Sequence, residues 1–143
     1  MNNLRIASIV SVAAISVALL SGCSAVAAVA NAQSKTQACL AISSNLTGVG
    51  KALSNDTPAM ATDPKGTAKK IAVIATKFSA AADKLSNAAV RKSAVDAAAS
   101  LTTFSDDITS IANKPTTAAE TKLQTDLGTL QTRFEKIDTA CKA

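Results

Sequence analysis

From Cys39 onward the chain repeats one pattern four times: apolar residues spaced alternately three and four positions apart. The first run is Cys39, Ile42, Leu46, Val49 and Leu53. That spacing keeps all five on one stripe of an α-helix, because a helix turns once in 3.6 residues. Ser54, Asn55, Asp56, Thr57 and Pro58 break the run, and a connection rich in turn residues continues to Gly66. Within it, Asp63 followed by Pro64 has the form of an N-cap and a first-turn proline. The second run is Ile71, Ile74, Phe78, Ala81 and Leu85. Extended further it lands on Ala88 and Lys92, out of phase with the third run of Val90, Ala94, Ala97, Leu101, Phe104, Ile108 and Ile111. A tight turn is therefore expected near Ser86 and Asn87, both good N-caps. Asn113, Lys114 and Pro115 stop the third helix, and Thr117 with Glu120 has the spacing of a capping box. The fourth run is Leu123, Leu127, Leu130, Phe134, Ile137 and Cys141.

Four amphipathic helices of about 20 to 26 residues, with no strand candidate between them, predict an all-α fold. The short second and third connections require antiparallel neighbours, so residues 37–143 read as an up-down-up-down four-helix bundle. The longer first connection leaves more freedom to the first helix. Composition agrees: 48% of residues are hydrophobic, with three Phe and neither Trp nor Tyr. A core of Ala, Val, Ile and Leu with so few aromatic residues favours helices over sheets.

Ahead of the bundle the pattern changes. Met1 to Arg5 carries one positive charge, and Ile6 to Leu20 is uncharged and mostly apolar, shorter than the roughly 20 residues a membrane-spanning helix needs. Leu20, Ser21, Gly22 and Cys23 follow at once. This branched apolar residue, two small residues and cysteine resemble the lipobox of bacterial lipoproteins. The resemblance implies that the Cys23 thiol receives a diacylglyceryl group and that a peptidase cuts just before it. Residues 1–22 would then be a signal peptide, and residues 23–36 a lipidated N-terminus and tether. Two acyl chains, each contributing about 0.8 kcal/mol per buried methylene, hold a protein durably where one does not. The partner implied is the cell membrane, met from its extracytoplasmic face. Two other readings of the stretch are a signal cleaved later, after Ala30 or Ala32, and an uncleaved anchor running on through Val29.

With Cys23 assigned to lipid, two of the three cysteines remain. Cys39 opens the first helix and Cys141 closes the fourth, and in an up-down-up-down bundle those ends share a pole, so a disulfide is expected. The alternative is a pair of buried thiols serving as small hydrophobes.

Candidate chemistry is sparse. The chain has no His, which removes Ser-His-Asp and Cys-His arrangements and imidazole metal ligands. Its five Gly form no phosphate-binding loop, and no cofactor or metal is expected. Asp106 and Asp107 are adjacent, but neighbouring helical positions point about 100° apart, so both read as solvated surface rather than a catalytic pair. The expectation is that the protein is not an enzyme. Net charge is +5, yet basic residues without stacking aromatics exclude nucleic acid as a partner. Lys70, Lys77 and Lys84 lie seven apart, with Arg91 continuing the spacing. Such a stripe suits anionic lipid headgroups or an acidic wall polymer, although such spacing is more often simply the outer face of a bundle helix. The function expected is that of a non-catalytic, lipid-anchored envelope protein with a binding or structural role. A carrier of a small apolar ligand in a bundle cavity, and an inhibitor or toxin-neutralising protein, are the alternatives.

Overall fold

The computed structural model describes residues 33–56 and 58–142. The signal segment, Leu20, Ser21, Gly22, Cys23 and the tether up to residue 32 lie outside them. The described chain is all-α: α1 (Lys35–Asp56), a 3-10 turn (Pro58–Ala61), α2 (Pro64–Asp83), α3 (Ala88–Asn113) and α4 (Thr117–Lys142). Successive helices run antiparallel. Ser105 on α3 reaches the Ala68 carbonyl on α2, and Lys122 on α4 reaches Asp107 on α3.

Local chemistry sets each boundary. Gln37 N donates to Ser34 Oγ at 3.2 Å while Ser34 N donates to Gln37 Oε1 at 3.0 Å, a reciprocal box that starts α1 two residues ahead of position 37. Ser54, Asn55 and Asp56 do not break α1; they form its last turn. Asp63 caps α2 by accepting from Gly66 N at 2.9 Å, with Pro64 in the first helical position. The Asp63 carboxylate folds so closely over Gly66 that a Cβ there would collide with it. Asn87 caps α3 by accepting from Val90 N at 3.2 Å. Lys114 is held extended because it precedes Pro115, and α3 stops. The start of α4 differs from the expected capping box: Thr116, not Thr117, is the cap, its Oγ1 accepting from Ala119 N at 3.2 Å. That moves Glu120 one residue past the reciprocal position.

The core is built around α3. Val90, Ala94, Ala97, Leu101, Phe104 and Ile108 are all buried, as their spacing requires. On α2 the buried sector is turned toward α3: Ala68, Ala75 and Ala82 are buried, whereas Ile74 and Ala81 are half-covered. Side chains that small let two helix backbones approach closely, and α2 and α3 make one of the closest helix pairs. The edge of α2 left half-covered faces α1, which packs more loosely. Only Ala38, Ile42 and Val49 of α1 are fully buried, and its closest approaches are to α2. Across the bundle, Phe78 of α2 and Phe134 of α4 meet edge to face with ring centroids 5.7 Å apart.

Candidate functional site

Cys39 and Cys141 form a disulfide with Cα atoms 5.8 Å apart, closing 102 residues of sequence separation. The bond ties the start of α1 to the end of α4, and it sits at the pole where the described chain begins. Both cysteines are half-buried against the core rather than at its centre.

Lys70 and Lys77 of α2 and its C-cap residue Lys84 are brought to one exposed edge but not into one role. Lys70 Nζ donates to Asp56 Oδ1 at 2.9 Å, and this hydrogen-bonded carboxylate holds the ammonium above its ordinary pKa. Lys70 therefore fastens the end of α1 to α2. Lys77 and Lys84 are exposed and have no carboxylate partner among the described residues. Arg91, the continuation of the stripe, lies 3.8 Å from Asp83.

The reading of Asp106 and Asp107 as one solvated surface holds for Asp106 and fails for Asp107, which is 8% exposed. Lys122 of α4 donates to Asp107 Oδ1 at 2.6 Å and to Asp126 Oδ2 at 2.5 Å, so one ammonium bridges two carboxylates. The other oxygen of Asp107, Oδ2, is buried with no hydrogen-bond partner. Burial raises the Asp107 pKa, reinforced by the neighbouring Asp126 carboxyl, while the adjoining Asp107 carboxyl and the Lys122 ammonium lower that of Asp126. A second link in the same antiparallel register joins Arg133 Nη1 to Asp96 Oδ2 at 3.4 Å, with Lys92 on the same oxygen at 3.1 Å. Together these pairs fix how α4 lies on α3. Helical position signals this burial in the sequence: Asp107 falls three after Phe104 and four before Ile111, inside the apolar sector of α3.

The pair titrates in opposite senses. A carboxyl with a raised folded-state pKa stabilises the fold while protonated, and loses that contribution as pH rises through its folded value. The lowered Asp126 acts above the ordinary carboxyl value and is lost as pH falls through its own folded value. The stability of the wild type relative to Asp107→Asn is thus expected to increase as pH falls from neutral toward 3.8, the ordinary carboxyl value. Urea denaturation of both proteins across that range checks this; a difference independent of pH would contradict the assigned burial.

Other features offer less chemistry. A surface depression of about 370 Å³ lies where Gly128 has no side chain, walled by Thr125, Thr129, Thr132, Arg133 and Lys136. It is open to solvent and walled by hydroxyl-bearing and cationic residues, unlike the enclosed apolar cavity that a carrier of apolar ligands requires. Among the described residues no group of three or more His, Cys, Asp or Glu is placed to hold a metal ion. No described helix is long and apolar enough to cross a membrane. Comparison with protein-family models, with curated proteins and with solved structures finds no match to this chain.

Proposed function

We propose that this protein is a non-catalytic module of the bacterial cell envelope, held at the extracytoplasmic face of the membrane by a diacylglyceryl group on Cys23 and presenting a rigid helical body for binding or structural use. The observation that carries the reading is the division of the three cysteines. Cys39 and Cys141 are spent on each other, which leaves Cys23, at the end of the Leu20-Ser21-Gly22 motif, as the one thiol available for acylation. Disulfides persist in oxidising compartments outside the cytoplasm, where a lipobox-bearing chain is delivered.

The non-catalytic part rests on the side chains at hand. The chain has no His, and the carboxylates of Asp107 and Asp126 are both engaged by Lys122. A general acid or base needs its titrating oxygen free to reach substrate. The carrier alternative finds no support in the polar depression on α4, and no particular residue favours an inhibitor.

Metabolic labelling with a clickable palmitate analogue tests the anchor. The wild type is expected to carry label in the membrane fraction and Cys23→Ser to carry none. Label retained by Cys23→Ser would overturn the proposal.

A further inference from the structure

We infer that the bundle meets the membrane by its disulfide-closed pole and that anionic lipid headgroups are the surface it contacts there. This rests on the lipid anchor proposed above and adds which end of the protein faces the bilayer, and through what chemistry.

The described chain enters the bundle at this pole. Gln33 N donates to Ser86 Oγ at 2.7 Å, and Ser86 N donates to Gln33 Oε1 at 3.3 Å. These two bonds pin the start of the described chain to the turn between α2 and α3, at the pole closed by Cys39 and Cys141. Between Cys23 and Gln33 the chain can extend at most about 33–36 Å. A helix of the length of α3 or α4 runs about 39 Å. Only a tether stretched to its limit along the whole bundle would set the far pole on the bilayer, so the anchor favours the near pole.

Charge is distributed unevenly between the two poles. Residues 35–45, 74–100 and 130–142 make up the half of the bundle next to the disulfide, and they carry eight Lys and Arg side chains against four carboxylates. Residues 46–73 and 101–129, the far half, carry six of each. All the net positive charge of the body is thus in the half nearest the anchor. Four lysines in each half lack a carboxylate partner among the described residues, Lys35, Lys77, Lys84 and Lys136 in the near one, so the asymmetry lies in the carboxylates, which are fewer beside the anchor. Each cation held near an anionic bilayer raises partitioning about fivefold, and the attraction fades within a Debye length. The lysine edge of α2 accordingly contributes through Lys77 and Lys84, not as a stripe of three.

Lysine footprinting on the acylated protein tests the orientation. The protein is reconstituted on vesicles of phosphatidylcholine alone or mixed with phosphatidylglycerol, acetylated briefly, and mapped by mass spectrometry. Lys77, Lys84 and Lys136 are expected to be protected about threefold or more on the anionic vesicles relative to the neutral ones, and the protection disappears in high salt. Lys51, Lys65 and Lys114 are expected to label equally on both. Lys77→Glu with Lys84→Glu, both at exposed positions, abolishes the protection of Lys136. Equal labelling of the two lysine sets, or protection of the far set, overturns the inference. Flotation separates this from the anchor itself: a protein that floats with neutral vesicles and labels evenly keeps the anchor and loses the docking. One that floats only with anionic vesicles, with the near half protected, keeps the docking and loses the anchor.

Discussion

Replacing both Cys39 and Cys141 with alanine is expected to lower the unfolding free energy by about 2–4 kcal/mol, roughly 8–16 °C in Tm for a body of this size. The bond closes 102 residues, for which the chain-entropy account gives up to about 4.7 kcal/mol. The loss should also be uneven. Helix α1 carries Gly48 and Gly50 in its interior, each costing about 1 kcal/mol relative to alanine, and it buries only three residues fully. Its hold on the rest rests on the disulfide at its start and on the Asp56–Lys70 pair at its end. Solvent screens an exposed ion pair of that kind, so the covalent link dominates. Amide hydrogen exchange in residues 40–56 should therefore accelerate more than in α3, where exchange tracks global unfolding. Chemical denaturation of the variant and of reduced wild type, alongside exchange, checks both parts. A variant as stable as the oxidised protein, or one in which all four helices loosen equally, would contradict this picture of α1.

Phe78→Ala is expected to be comparably severe, costing about 3–5 kcal/mol. Phe78 is 1% exposed and meets Phe134 edge to face, so truncation leaves a cavity at the centre of the bundle and removes a favourable ring pair. Phe134→Ala should cost nearly as much, because that ring is 8% exposed and fills the same space from α4. The double variant is expected to fall short of the sum of the singles by about 0.5–1.5 kcal/mol, the share that belongs to the pair. Leu40→Ala serves as the control. Leu40 is 65% exposed, and its loss should change stability by less than about 0.5 kcal/mol. Urea denaturation of the four proteins gives the cycle; additive effects would mean that the rings do not support each other.

Helix count, helix direction and the pairing of Cys39 with Cys141 were legible in the sequence because each rests on a repeating or topological signal. A 3,4 spacing kept for twenty residues has one structural solution, and four antiparallel helices put their outer termini at one pole. What the pattern could not give was the rotation of each helix about its axis. Periodicity centred α2 on Ile71, Ile74 and Phe78, whereas packing turned it toward α3 through Ala68, Ala75 and Ala82. Alanine scores weakly as an apolar residue yet determines how near two backbones come, so its effect emerges only when both helices are present. The burial of Asp107 was missed for a related reason. Its angular position marks it as inward, but its charge suggested solvent, and the deciding partner, Lys122, lies on a different helix. The lysines of α2 show the same limit: spacing placed them on one edge, and only the fold revealed that Lys70 is committed to Asp56.

Intact-mass and N-terminal peptide analysis of the protein purified from membranes tests the central claim most directly, because one spectrum reads the fate of all three cysteines. The predicted product begins at position 23, carries the diacylglyceryl mass on that residue, and contains a non-reduced peptide joining positions 39 and 141. A product that begins after Ala30 or Ala32, or that retains residues 1–22 with an unmodified thiol, would contradict it.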